Sequence, residues 1–144
     1  MKTLLMALML MTMALVSGCV TAPPPDLTAI QGTWKGQEVR NGQAVGSWLT
    51  FVGRELEFRP VDGRNWFKGT FSLRQNTDPK QLVIVITESS EVRNDGKTAL
   101  ALYELKQASE EQGTLVISLN EPGNPQAPEG FRDRRARQIV FTRQ

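Results

Sequence analysis

The spacing of short alternating segments constrains the fold of this chain more than any other feature. Runs of five to eight residues alternate apolar with polar residues, and turn-forming residues separate them. A period of two puts every second side chain on the same face of a strand. The pattern predicts eight strands, over residues 33–40, 47–52, 55–59, 66–73, 82–86, 99–105, 114–120 and 136–142.

The residues between these runs predict turns and loops rather than helices. Asn41-Gly42 indicates a tight hairpin, because both positions favour positive φ. Residues 94–97 form a second polar turn, and residues 121–130 contain three prolines, which excludes a strand there. Eight strands without a long helix indicate a sandwich or a barrel, and closure removes exposed strand edges. We therefore predict an all-β fold, a single antiparallel up-and-down eight-stranded barrel over residues 30–144.

An eight-stranded barrel has an interior that is filled by side chains or holds one small ligand. The run 82–86 is apolar throughout, so it is either covered on both faces or carries an apolar exterior. The alternating apolar residues of the other strands are the candidate lining of a ligand cavity. They are Leu56, Phe58, Phe67, Phe71, Leu100, Leu102, Leu115 and Ile117.

The first 18 residues have the layout of a secretory signal peptide. Lys2 precedes an apolar run over 4–16, and Ser17 and Gly18 are small residues suited to cleavage. The run is shorter than the roughly 18–20 residues that span a bilayer. We therefore predict that residues 1–18 are removed, which leaves 126 residues, enough for one domain.

Cys19 is the only cysteine of the chain, and it directly follows the apolar segment. The sequence from Val16 to Cys19 resembles the bacterial lipobox. The resemblance implies that Cys19 carries a thioether-linked diacylglycerol and an acyl chain such as palmitate, so that the protein is anchored in the membrane. Val20 in place of aspartate favours the outer membrane. The alternative is an ordinary signal peptide that ends near a cysteine.

Residues 19–29 read as a tether between the anchor and the barrel. Pro23, Pro24 and Pro25 favour an extended conformation, and Asp26 is a candidate N-cap for a helical turn over 27–30. Without Lys2, 16 basic residues remain against 15 acidic ones, a net charge of about +1. This balance argues against nucleic acid as a partner.

The residue types that are missing restrict the chemistry. The chain has no histidine, and its one cysteine is expected to be acylated, which removes histidine-based triads and His or Cys metal sites. We therefore expect no enzyme, no metal and no cofactor beyond the lipid on Cys19. Glu55 and Glu57 share a strand face, but that face lies opposite Leu56 and Phe58, so a solvated pair is expected rather than a catalytic one.

Two further groups leave alternatives open. The basic run 132–137 either contacts an anionic partner or solubilises the start of the last strand. Trp48, Trp66 and Phe67 either line a ligand mouth or belong to the core, which is the commoner role of aromatic residues in strands.

The start of the first strand resembles a known motif. Gly32, Thr33 and Trp34 resemble the G-x-W motif of lipocalins, in which the Trp closes one barrel end against a basic residue of the last strand. Arg143 occupies that place here. The resemblance implies a barrel-end closure formed by Trp34 and Arg143.

A longer series of short motifs resembles a lipocalin-like domain family that is abundant in Planctomycetes and has no assigned activity. It runs through residues 30–34, 41–42, 49–51, 56, 69–73, 78–80, 102–105 and 139–143. The resemblance implies a lipocalin-like barrel and says little about function.

Together these features predict a lipid-anchored lipoprotein of the cell envelope that faces the periplasm, with a small apolar ligand inside the barrel. The alternative is an envelope structural or interaction module whose barrel is filled by its own side chains. A cavity of at least about 300 Å³ would favour the ligand.

Overall fold

The computed structural model describes residues 25–144 except residues 108 and 110. The predicted signal peptide, Cys19 and residues 19–24 of the predicted tether lie outside the described residues. The helices and strands follow in chain order: α1 Pro25–Ala29, β1 Gly32–Arg40, β2 Gln43–Val52, β3 Glu55–Pro60, β4 Phe67–Arg74, β5 Gln81–Ser89, a 3-10 helix Val92–Asn94, β6 Thr98–Gln107, β7 Gly113–Leu119 and β8 Arg137–Arg143.

The eight strands form a closed barrel in which each strand pairs antiparallel with its neighbour in sequence and β8 pairs with β1. The predicted all-β, up-and-down, eight-stranded barrel is confirmed. The turn between β1 and β2 has two residues, and Asn41 and Gly42 adopt φ of 49° and 76°. The left-handed backbone conformation of these two residues matches the twist of the flanking strands, so pairing starts directly after the turn. β2 therefore begins at Gln43, earlier than the sequence predicted.

Alternation in the strands places the core inside the barrel. Phe51 and Phe71 pack edge to face with ring centroids 5.0 Å apart, and Phe58 lies 5.3 Å from Phe67 and 6.5 Å from Phe141. These ring contacts involve four strands, β2, β3, β4 and β8.

The apolar run in β5 also alternates. Leu82, Ile84 and Ile86 are buried in the core, whereas Val85 is 41% exposed. The run therefore has an apolar exterior, the second of the two sequence interpretations.

Up-and-down topology sends successive connections to opposite ends of the barrel. The end that carries α1 and the β2–β3, β4–β5 and β6–β7 connections is called the closed end here, and the opposite end is called the mouth. The mouth is formed by the turn at 41–42 and the connections 61–66, 90–97 and 120–136. Among residues 25–144, as far as they are described, no helix has the length and apolar character needed to span a bilayer.

Candidate functional site

The closed end is sealed by Trp34 and Arg143, as the sequence predicted. Trp34 is fully buried, and its Nε1–H donates to the Ile30 carbonyl at 2.8 Å. The Arg143 guanidinium lies 4.3 Å from the indole centroid. It also donates to the carbonyls of Gln31, at 2.7 Å, and Ala29. Arg143 thus joins the last strand to the first and to the segment before it.

Asp26 fastens α1 to the same end, a role that the sequence did not reveal. Its carboxylate accepts hydrogen bonds from the Tyr103 hydroxyl and from the Lys80 ammonium, both at 2.8 Å. Burial, that hydrogen bond and the carboxylate charge all raise the pKa of the Tyr103 hydroxyl. The helical turn that the sequence predicted over 27–30 is therefore present as α1, docked on the barrel, and Asp26 lies inside this helix rather than at its N-cap.

The predicted ligand lining is only partly inside the barrel. Leu56, Phe58, Phe71, Leu115 and Ile117 belong to the buried core, and Phe67 packs against it at the mouth. The core contributions of β6 are instead Ala99, Ala101 and Tyr103.

The prediction for Leu100 and Leu102 is wrong, because β6 runs in the opposite phase. Both alternating sets of this strand are apolar, so periodicity alone favoured the larger side chains. The register is fixed by Tyr103, which must point inward to reach Asp26. Leu100 and Leu102 therefore point outward, and Leu102 is nevertheless buried, opposite Ser118 of β7.

The barrel interior is almost filled. An apolar cavity inside it has a volume of about 30 Å³ and is bordered by Leu49, Phe58, Leu82 and Ile84, among others. That is far below the roughly 300 Å³ typical of a small-molecule pocket. The interior volume therefore favours the interpretation in which the barrel is filled by its own side chains.

A buried carboxylate lies between this core and the mouth. Glu38 of β1 is 8% exposed and pairs with both Arg137 and Arg40, and Arg40 reaches Asp62 at 3.1 Å. Burial alone would raise the pKa of Glu38, but the hydrogen bonds and charges of the two arginines outweigh it and lower the pKa below 4.5. Arg137 also lies 5.1 Å from the Phe58 ring centroid, so it covers the aromatic core.

Above Arg137 the mouth opens into a pocket of about 400 Å³. Phe67, Ile86, Leu119 and Trp66 supply its apolar surface. Trp66 and Phe67 therefore line the mouth, the first of the two alternatives for them. Trp48 neither lines the mouth nor belongs to the core. It is 38% exposed on the outer face, and the Lys35 ammonium lies 5.6 Å from its ring centroid.

Four basic residues line the mouth pocket: Arg93, Lys97, Arg135 and Arg137. Two of them come from the run 132–137, which is mostly loop, so the run contributes to the mouth as well as to the start of β8. Asp133 organises this loop. Hydrogen bonds from the Arg135 side chain and from the backbone N–H groups of Arg135 and Glu129 lower the pKa of Asp133 to about 2.

The other candidate groups do not assemble into a site. Glu57 pairs with Arg59 on the outer face, and its neighbour Glu55 is exposed, which matches the predicted solvated pair. In the part of the chain that the structure describes, no three His, Cys, Asp or Glu side chains cluster as metal ligands would. No protein-family model matches the chain, and no curated protein or solved structure matches it.

Proposed function

We propose that the protein is a non-enzymatic lipoprotein of the cell envelope, held in the membrane by a lipid on Cys19 and facing the periplasm, with its barrel filled by side chains. In this proposal the closed end of the barrel faces the membrane and the mouth faces away from it.

The observation that supports this orientation is the docking of α1. Hydrogen bonds from Tyr103, Lys80 and Arg143 hold residues 26–31 against the closed end. Cys19 lies six residues before Pro25, a reach of at most roughly 20 Å. A lipid at Cys19 would therefore pull the closed end, and not the mouth, toward the membrane.

The small cavity supports the filled-barrel alternative over an apolar ligand inside the barrel. An interior ligand would have to displace packed aromatic side chains such as Phe58 and Phe71, since only about 30 Å³ is open.

Membrane attachment is tested with the Cys19→Ser variant of the full chain, expressed with radiolabelled palmitate. We expect the wild type to carry label and to sediment with membranes, and the variant to lose both. The matched control, Ser17→Ala, keeps a small residue before the cysteine and should behave like the wild type. Membrane retention of unlabelled Cys19→Ser protein would refute the anchor.

The same fractionation tests the preference for the outer membrane, because Val20→Asp should then move the protein to the inner membrane in an enterobacterial host.

The orientation is tested separately by labels at the two ends. Asn76, in the β4–β5 turn, and Asn41, in the β1–β2 turn, are both exposed. Each is replaced by cysteine and spin-labelled in the lipidated protein, which is reconstituted into vesicles with nickel-chelating headgroups. We expect the metal to relax the label at residue 76 more strongly than the label at residue 41. The reverse order would refute the orientation without affecting the anchor.

A further inference from the structure

We propose that the mouth pocket binds a small anionic amphiphile, which sits above Arg137 rather than inside the barrel. The proposal concerns only the barrel, and it holds whether or not the chain is lipidated.

The pocket offers an apolar surface for the hydrocarbon part of such a ligand. Phe67, Ile86 and Leu119 form it, and Trp66 stands beside them. The volume of about 400 Å³ lies in the range of pockets that hold small molecules. Each methylene group removed from water here would tighten binding about fourfold.

The polar side of the pocket favours an anion. Four basic residues and two acidic ones, Glu91 and Glu121, line the pocket. Three of the cations are already paired: Arg93 with Glu91, Arg135 with Asp133 and Glu129, and Arg137 with Glu38.

Lys97 is the cation that remains for a ligand. Within the described residues its ammonium group has no ion pair. Its aliphatic stem packs over Gly123, where a Cβ would come within 3.3 Å of the Lys97 Cδ. This contact places the outer part of the side chain, Cδ and Cε, beside the 120–136 connection, and Lys97 is one of the residues that line the pocket.

Arg137 forms the floor that keeps the ligand out of the interior. It borders both the mouth pocket and the small cavity below. Moving it aside would leave the buried Glu38 with Arg40 as its remaining partner, and the loss of one of two ion pairs is costly in a low dielectric. The hydrocarbon part of the ligand therefore rests on Phe67 and Leu119 and does not enter the barrel.

The test compares three ten-carbon probes below their micellar concentrations: decanoate, decyl maltoside and decyltrimethylammonium. Binding to the Cys19→Ser protein is measured by calorimetry and by tryptophan fluorescence, for which Trp66 is the reporter. We expect decanoate to bind about tenfold more tightly than decyltrimethylammonium, the difference of one favourable charged contact. Its affinity should fall as salt is added.

Lys97→Gln should weaken decanoate binding about fivefold or more and leave decyl maltoside binding unchanged. The matched control, Lys106→Gln, removes an exposed lysine near the closed end and should have no effect. Trp66→Phe should abolish the fluorescence change while calorimetry still detects binding.

Several results would overturn the proposal. They are absence of decanoate binding at millimolar concentration, equal binding of the anionic and cationic probes, unchanged decanoate affinity in Lys97→Gln, or a fluorescence change that survives in Trp66→Phe. Vesicles of phosphatidylglycerol separate two sources of the ligand. Decanoate that displaces the protein from vesicles identifies a lipid headgroup as the bound anion, and binding of decanoate without vesicle capture identifies a dissolved amphiphile.

Discussion

The guanidinium of Arg143 lies 4.3 Å from the centroid of the Trp34 ring and joins the last strand of the barrel to the first. A cation over an indole contributes about 0.5–2 kcal/mol. Arg143 also donates to the carbonyl of Ala29, the last residue of α1, and to that of Gln31, which lies between α1 and β1. One side chain therefore closes the barrel and fixes the direction from which the chain enters it.

Truncation of the indole tests this closure. Trp34→Ala should lower the free energy of unfolding by about 3–5 kcal/mol, because it removes a fully buried aromatic ring. Urea denaturation followed by circular dichroism measures the change. Trp48→Ala, on the outer face, is the matched control and should cost less than about 1 kcal/mol. Equal effects of the two variants would contradict the closure.

Removal of the Asp26 carboxylate should loosen α1. Asp26→Ala leaves the Tyr103 hydroxyl and the Lys80 ammonium without their acceptor, at a cost of about 1–3 kcal/mol. Hydrogen exchange should accelerate at the amides of Ile30 and Gln31, which bond to carbonyls of the helix. Asp78→Ala, an exposed carboxylate at the same end, should leave these amides protected. Unchanged exchange in Asp26→Ala would show that α1 is held by other contacts.

The pairing of Glu38 predicts a loss of stability in acid. The pKa of Glu38 is lower in the folded chain than its ordinary value of 4.5, so its ionised form stabilises the fold above that pH. This contribution is lost as the pH falls below 4.5 through the folded pKa.

The variant Glu38→Gln should cost about 3 kcal/mol at pH 7, because it leaves Arg137 without a carboxylate and Arg40 with Asp62 alone. It should also flatten the decline in stability as the pH falls below 4.5. Urea denaturation across this pH range measures both effects. Glu57→Gln, on the outer face, should change the free energy of unfolding little at pH 7. An equally steep acid decline in Glu38→Gln would assign it to other groups.

Which face of β6 points into the barrel is tested by changing the size of one side chain on each face. Ala101 is fully buried in the core, so Ala101→Leu should cost about 1–3 kcal/mol through overpacking. Leu100, which points outward and is half-buried, serves as the comparison, and Leu100→Ala should cost less. If Ala101→Leu were neutral and Leu100→Ala severe, Leu100 would face the interior as the sequence suggested.

The sequence by itself determined the strands, their order and the closed barrel, because period-two alternation and turn chemistry are local properties. Asn41-Gly42 is an example, since the pair encodes its own left-handed turn. Trp34 and Arg143 were also predictable, because a short motif and a strand end mark their places. The single cysteine and its context likewise come from the sequence, and Cys19 lies outside the described residues.

Tertiary structure decided which face of an ambiguous strand points inward and how much space remains inside. In β6 both alternating sets are apolar, and the set that points inward is the one that packs in the core and brings Tyr103 to Asp26, 77 residues away. The small cavity and the pocket above Arg137 depend on side chains from several strands and loops at once. Cavity volume and ion pairing depend on residues that are far apart in the sequence, so the local periodicity of each strand does not predict them.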